Sequence, residues 1–212
     1  MEATRAYLPA AGHDWLLPFY DPFVKLLGGD AARRALLEPA ALQPGQRVLE
    51  VGCGTGTLVA MIKRGHPGVE VVGLDPDPKG LARAKRKAAR ERLAIQFNQG
   101  FADELPYPDR SFDRVFSFFM FHHLPLNEKL QMLREARRVL KPGGEFHMLD
   151  FEGPEDRKHG FLVRLFHSNK HLKDNSQTRV VELMEQAGLL SPEKIGRRKL
   201  LFGGIAYYRA RA

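Results

Sequence analysis

Cysteine is almost missing from this chain: Cys53 is the only one in 212 residues. An intramolecular disulfide needs two, and a zinc site built on thiolates needs more, so both are excluded. Long apolar runs are missing too. No stretch approaches the roughly 18 to 20 apolar residues that cross a bilayer as a helix. The opening MEATRAYLPAAGHDWLLPFYDPF lacks the basic start and uninterrupted apolar core of a secretory signal. A soluble protein in a reducing, cytoplasmic setting is the expectation. Acidic side chains are in the minority, 25 Asp and Glu against 33 Lys and Arg, for a net charge of +8. Much of the excess lies in KGLARAKRKAARER, where Lys79, Arg83, Lys85, Arg86, Lys87, Arg90 and Arg92 face the single acid Glu91. Read as a helix, this is a solvated outer face; nucleic acid or an acidic membrane surface is the partner such a run could otherwise take.

What is present is ordinary globular composition, 43% hydrophobic and 27% charged, with length for one core. Apolar runs of strand length alternate with longer helical patterns, the signature of βαβ units and a parallel sheet covered on both faces. RVLEV (47–51), VEVVGLD (69–75), AIQFN (94–98), FDRVFSFF (112–119) and EFHMLDF (145–151) read as five strands. Helices are expected near 57–64, 78–91, 127–139 and 177–187, with KPGG at 141–144 stopping the third. Near the end, KIGRRKLLF and IAYYRAR are separated only by Gly203 and Gly204, a connection that suits a hairpin and cannot hold a crossover. The expected fold is therefore α/β: a doubly wound, Rossmann-like seven-stranded sheet, mostly parallel, with an antiparallel last strand. One domain over 1–212 is expected, comprising a helical cover (1–44), a ligand-binding core (45–151), a second cover (152–175) and a C-terminal helix with hairpin (176–212).

In such a sheet a ligand sits beyond the carboxyl ends of the strands, where strand order reverses. VLEVGCGTGTL (48–58) leaves the first strand there. Gly52, Gly54 and Gly56 allow close approach of the backbone to a ligand, and the helix starting near Thr57 offers unpaired N–H groups. A bend that merely needs positive φ is written with the same letters. Two features separate the cases. A dinucleotide fingerprint has its last glycine three residues after its second, where this chain has Thr57. Glu50 also brings negative charge to the place where a pyrophosphate carries its own, a contact disfavoured in partly dry surroundings. A nucleoside-like but cationic ligand reverses that sign. Asp75, 19 residues after Gly56, closes the second strand where a carboxylate can accept from ribose hydroxyls. The alternative for Asp75 is a cap on the helix after Pro76.

These stretches, with GLDPD, NQGFADELPYPDRSFDRVFSFFMFHHL and RVLKPGG, resemble the class I S-adenosylmethionine-dependent methyltransferases. Within them the likeness is to the broad menaquinone and ubiquinone C-methyltransferase group, methyltransferase type 11-like, over roughly 45–150. The resemblance implies S-adenosylmethionine as cosubstrate, no metal, and a small-molecule acceptor. Carried over by position, Gly52, Cys53, Gly54 and Gly56 flank the methionine portion, Glu50 suits the cationic cosubstrate, Asp75 holds the ribose and Pro76 touches the adenine. Where the family often has Gly-Asp-Ala, this chain has Gly100, Phe101, Ala102 and Asp103. Phe101 thus replaces the aspartate that accepts from the adenine amino group. Asp103 or a backbone carbonyl takes over, or apolar contact and the backbone N–H of Ala102 hold the ring. Cys53 reads as a small packing residue.

Methyl transfer is an in-line displacement, so excluding water and aligning the acceptor supply much of the acceleration. A base is needed only for an acceptor that keeps its proton. In SFFMFHHL, Ser117 and Phe118 are expected along the methionine part, with His122 and His123 at the mouth as base or as loop hydrogen-bonders. His167 and His171 have i, i+4 spacing without a third ligand, so no metal is expected. The fourth strand ends in SFFM rather than Asp/Asn-Pro-Pro-aromatic, and the only cysteine lies in the glycine turn. Base methylation loses ground accordingly; other RNA positions stay open and are not favoured. Trp15, Phe19, Tyr20 and Phe23, with Phe161, Leu162, Leu165 and Phe166, suggest covers around a small apolar or aromatic acceptor, with Tyr20 closing over the cosubstrate. A non-catalytic cosubstrate-binding module is the rival reading, and no residue pattern specifies an oligomeric state.

Overall fold

The computed structural model describes residues 28–152, 177–200 and 203–212. Tyr20, the other N-terminal aromatics, the 161–166 cluster, His167 and His171 lie outside these. Seven strands form one sheet: β1 Arg47–Val51, β2 Glu70–Asp75, β3 Ile95–Gln99, β4 Phe112–Phe118, β5 Leu140–Phe151, β6 Leu190–Leu200 and β7 Gly203–Arg211. The helices are α1 Gly29–Leu37, α2 Thr57–Gly65, α3 Pro78–Arg90, α4 Leu126–Val139 and α5 Gln177–Gln186. Strand order is β3-β2-β1-β4-β5-β7-β6. β7 runs antiparallel to both of its neighbours and is the one reversed strand. Order reverses between β1 and β4, which pair directly from Val48–Arg114 to Val51–Ser117. That is the switch point at which open α/β sheets bind ligands.

The hairpin differs from its sequence reading in one respect. Gly203 and Gly204 are not its bend: they pair with Leu200 and Lys199 inside the ladder. Gly204 lies against Glu152. A Cβ there would stand 2.6 Å from Glu152 Oε2, and the Glu152 N–H donates to the Gly204 carbonyl at 2.9 Å. Similarly, KPGG lies within β5 as an irregularity between the Phe112–Leu140 and Arg114–Glu145 pairs.

Period-two alternation sorts the core into two layers. Val48, Val71, Phe116 and Leu149 pack with Ala32 and Leu36 of α1 and with Leu58, Val59 and Ile62 of α2. Leu49, Val51, Val115 and Met148 pack with Met132, Leu133 and Ala136 of α4 and with Val180, Leu183 and Met184 of α5. Each fully buried Leu, Val or Phe contributes about 1.5–3 kcal/mol. Glu50 shares the parity of Val48, so its carboxyl points toward α2 rather than α4. Among the described residues no helix is long and apolar enough to cross a membrane.

Candidate active site

A cavity of about 320 Å³ opens beyond the carboxyl ends of β1, β2, β3 and β4, at the lower end of the roughly 300–1,000 Å³ typical of small-molecule pockets. Its floor is the turn between β1 and α2, where Gly52 and Gly56 both have φ of 75°. Packing demands glycine at both places. A Cβ on Gly52 would collide with the Met120 side chain, and one on Gly56 would lie 2.7 Å from Ala84 Cβ and 3.3 Å from the Phe97 ring. The turn is tied to β2 through the N–H groups of Gly52 and Cys53, which donate to the Leu74 carbonyl at 2.8 and 2.9 Å.

Asp75 completes that tie. Its Oδ2 accepts the Gly54 N–H at 2.7 Å and its Oδ1 the Asp77 N–H at 2.9 Å. Burial pushes its pKa up to about 6, although both backbone donors pull the other way. The cap on α3 is Asp77, which accepts the Lys79 N–H at 2.8 Å; Asp75 instead lines the cavity. Glu50 is 2% exposed. Its Oε2 accepts the Val59 N–H at 3.1 Å, satisfying one of the open amides in the first turn of α2. Burial drives its pKa up to about 8, against the nearby Arg33 charge and the Val59 N–H. Cys53 is buried against Gly73. Burial first, then the charges of Glu50 and Asp75, push its thiol up, so no reactive thiolate forms.

The opposite wall comes from the end of β4. Phe119 adopts φ of 52°, an unusual conformation for a bulky residue. Its ring is held 4.7 Å from Phe118 and 4.6 Å from Phe151. A short 3-10 turn, Phe121–His123, follows. His122 is buried and bound to Asp150, its N–H donating to Oδ2 at 3.1 Å and its Nδ1 lying 2.7 Å from Oδ1. His123 is on the cavity wall. Burial, then the neighbouring His122, lower its pKa to about 3 against the pull of Asp150. At neutral pH its imidazole is uncharged: able to hydrogen-bond, but weaker as a base than one titrating near the working pH.

Of the residues expected at the site, Glu50, Gly52, Cys53, Gly54, Asp75 and Pro76 line the cavity. So do Phe101, Ala102, Asp103, Phe118 and His123. Gly56, Ser117 and His122 stand behind its wall; Ser117 shares the parity of Val115 and faces the α4 layer. Arg33, Thr55, Thr57, Met120 and Glu128 also line it and were not foreseen. Arg33 had a legible signal, a cation three residues before Leu36 on the buried side of α1. Among the described residues, no group of three His, Cys, Asp or Glu is arranged to hold a metal.

A family model described as a methyltransferase domain matches residues 48–144. A demethylmenaquinone methyltransferase of Deinococcus radiodurans is 39% identical over 154 residues, which are 71% of this chain and 63% of that protein. Its namesake in Thermus thermophilus is 38% identical over 154 residues, 71% of this chain and 69% of that one. The chain belongs to the class I S-adenosylmethionine-dependent methyltransferases. The methyltransferase also shares its fold with a Haemonchus contortus phosphoethanolamine N-methyltransferase solved with S-adenosyl-L-methionine. The TM-score is 0.78 and the identity 21%, over 92% of this chain and 46% of that one. Its cavity wall carries Glu50, Asp75, Asp103 and Glu128 against the cation Arg33. Glu50 is mostly protonated at pH 7, yet the other three carboxyls still outnumber the cation, a balance hostile to a diphosphate and hospitable to a ligand bearing positive charge.

Proposed function

We propose that this methyltransferase binds S-adenosylmethionine in the cavity above the glycine turn and methylates a small apolar or aromatic acceptor. The family supplies the reaction; the acceptor class rests on the quinone-type names of the relatives and on the aromatic wall of Phe118 and Phe119. The residues fit the cosubstrate. Glu50 offers a carboxylate to positive charge, and Asp75 keeps lone pairs for ribose hydroxyls beyond its two backbone donors. Leu74, Pro76 and Phe101 supply apolar surface for a base. Bound S-adenosylmethionine supplies an electrophilic methyl on a sulfonium whose charge disappears on transfer. Gly52 and Gly54 let the backbone come close to the ligand, Phe118 and Phe119 exclude water, and the neutral His123 orients the acceptor by a hydrogen bond. A single domain over 1–212, working in the cytoplasm without a metal, goes with this reading.

The observation that carries the proposal is Glu50: a carboxyl buried in the cavity wall, held by one backbone N–H, whose strained ionisation a cationic ligand would relieve. Thermal denaturation with S-adenosylmethionine, S-adenosylhomocysteine and NADH tests it. At a hundred times the Kd, a ligand adds about 2.7 kcal/mol, or a Tm rise of about 5–10 °C at this chain length. Both adenosyl ligands are expected to give that rise and NADH none. Labelled methyl should then appear in quinol or phenol acceptors and not in RNA. Absence of a shift with either adenosyl ligand overturns the binding reading; labelled RNA overturns the acceptor class.

A further inference from the structure

We propose that the outward face of α3 is a docking surface for an anionic lipid bilayer, held there by Arg83, Lys85, Arg86, Arg90 and Arg92. The stretch from Pro78 to Arg92 carries seven cations and one acid, Glu91, and so supplies most of the net charge of +8. Gly80, Leu81, Ala84 and Ala88 form the buried stripe of α3, which puts Arg83, Arg86 and Arg90 on the opposite side at i, i+3 and i+7. Lys85 and Arg92 are exposed beside them. Glu91 is already engaged, by Arg64 of α2 at 3.2 Å. Among the described residues no acid pairs with any of the five. Many cations elsewhere are answered: Arg47 by Glu70, Arg138 by Glu135 and Asp109, Lys141 by Asp113 and Arg209 by Glu193.

Like charges three and four positions apart on one helix repel, so this face works against its own helix, and the buried stripe holds α3 in place. A polyanion reverses the sign. Lipid suits the face better than nucleic acid does. The exposed uncharged positions of α3 are Pro78, Ala82 and Ala89, so the cations stand without the aromatic platforms or amide side chains that engage bases. A plane of lipid phosphates asks only for density of positive charge. The place of the helix fits as well: α3 begins two residues after Pro76, which lines the cavity, so the docked face runs from the rim of the mouth, and apolar acceptors collect in bilayers. This last point rests on the proposed acceptor, whereas the unanswered charge does not.

Sedimentation of the full chain with vesicles tests this, using phosphatidylcholine alone and an equal mixture with phosphatidylglycerol, in low and in high salt. The protein should bind the anionic vesicles in low salt, release them in high salt and ignore the neutral ones. Each cation at an anionic surface is worth about fivefold in partitioning, so Arg83→Gln/Arg86→Gln/Arg90→Gln should weaken binding about 100-fold. Arg34→Gln/Arg134→Gln/Arg198→Gln removes the same charge from exposed positions of α1, α4 and β6 and should weaken it less than about fivefold. An equal loss in both variants overturns the docking face, because net charge alone then binds. So does wild-type affinity retained in the α3 variant, no binding by the wild type, or tighter binding of the same face to single-stranded RNA at equal salt. Calorimetry with S-adenosylhomocysteine should not distinguish the α3 variant from wild type; if the triple variant fails to fold, Arg86→Gln alone, with an expected loss of about fivefold, decides. Failure of the wild type to bind that ligand would remove the cavity reading and leave the vesicle result standing.

Discussion

Replacing Glu50 by glutamine removes a proton equilibrium while keeping the shape of the side chain. Its pKa is pushed from the ordinary 4.5 up to about 8, so folding at pH 7 takes up a proton at this site. Because the folded value is the higher one, the associated stability is complete below about pH 4.5 and is lost as pH rises through about 8. At pH 7 the distance from 4.5 is about 2.5 pH units, which at 1.36 kcal/mol per unit is about 3 kcal/mol lost. Glutamine has no such equilibrium, and its carbonyl oxygen can still accept the Val59 N–H. Glu50→Gln should therefore be more stable than wild type at pH 7 by up to about 3 kcal/mol, or about 6–12 °C in Tm. The difference should vanish near pH 4.5. Binding should respond in the opposite sense. A cationic ligand needs the carboxylate, so wild-type affinity for S-adenosylmethionine should rise about tenfold per pH unit from pH 6 toward 8, and the variant should lack this slope. The ligand's own ammonium titrates identically with both proteins and drops out of the comparison. Scanning fluorimetry and calorimetry at pH 5, 6, 7 and 8 measure both effects. A variant less stable than wild type at pH 7, or one that keeps the wild-type slope, refutes the reasoning.

Gly56→Ala combines positive φ with a Cβ 2.7 Å from Ala84 Cβ; a loss of about 1–3 kcal/mol is expected, and an unmoved urea midpoint would contradict the packing account. His147 is fully buried and stacked on Phe116 at 5.3 Å, and burial lowers its pKa from 6.5 to about 4 against the pull of Glu145. A depressed folded value means stability present above pH 6.5 and lost as pH falls through 4, to the extent of about 3 kcal/mol. His147→Phe keeps the stack and should flatten that acid loss in urea titrations at pH 7 and 4.5; parallel losses in both proteins would show that His147 is not the group responsible.

Much of the sheet was legible because a parallel sheet buries both faces, leaving strands β1, β2 and β4 rich in apolar, largely buried residues that local pattern can find. β3 is one residue off its expected place, which follows from its edge position and half-exposed side chains. Gly203 and Gly204 misled because local turn chemistry cannot register the long-range pairing that places them in the ladder, nor Glu152, about 50 residues earlier, packed against Gly204. At the site, the contiguous motif gave up its residues readily: Glu50, Gly52, Cys53 and Gly54 all reach the cavity, as does Asp75 at the end of β2. Ser117 did not, since spacing alone could not tell that Phe118 takes the cavity side of β4 and leaves Ser117 to the other layer. Arg33, Met120 and Glu128 come from segments distant in sequence, and only the fold brings them together.

The division between packing and recognition runs through the glycine turn itself. Gly52 is fixed by Met120 and Gly56 by Ala84, both atoms of this chain. Their spacing therefore records how a strand bends into a helix, and would be written the same way around any ligand. The polar groups carry the ligand information, because each is buried at a cost that the fold alone does not offset. Asp75 ties the turn to β2 but has its pKa raised while doing so. Glu50 gives one oxygen to α2 and is pushed toward neutrality. Arg33 leaves its Nε open in a dry wall. On the proposed reading, a cationic nucleoside would relieve the first two together, its ribose at Asp75 and its positive charge at Glu50. A dinucleotide relieves the first and aggravates the second, which is why the charge set discriminates between ligands that the glycines cannot tell apart.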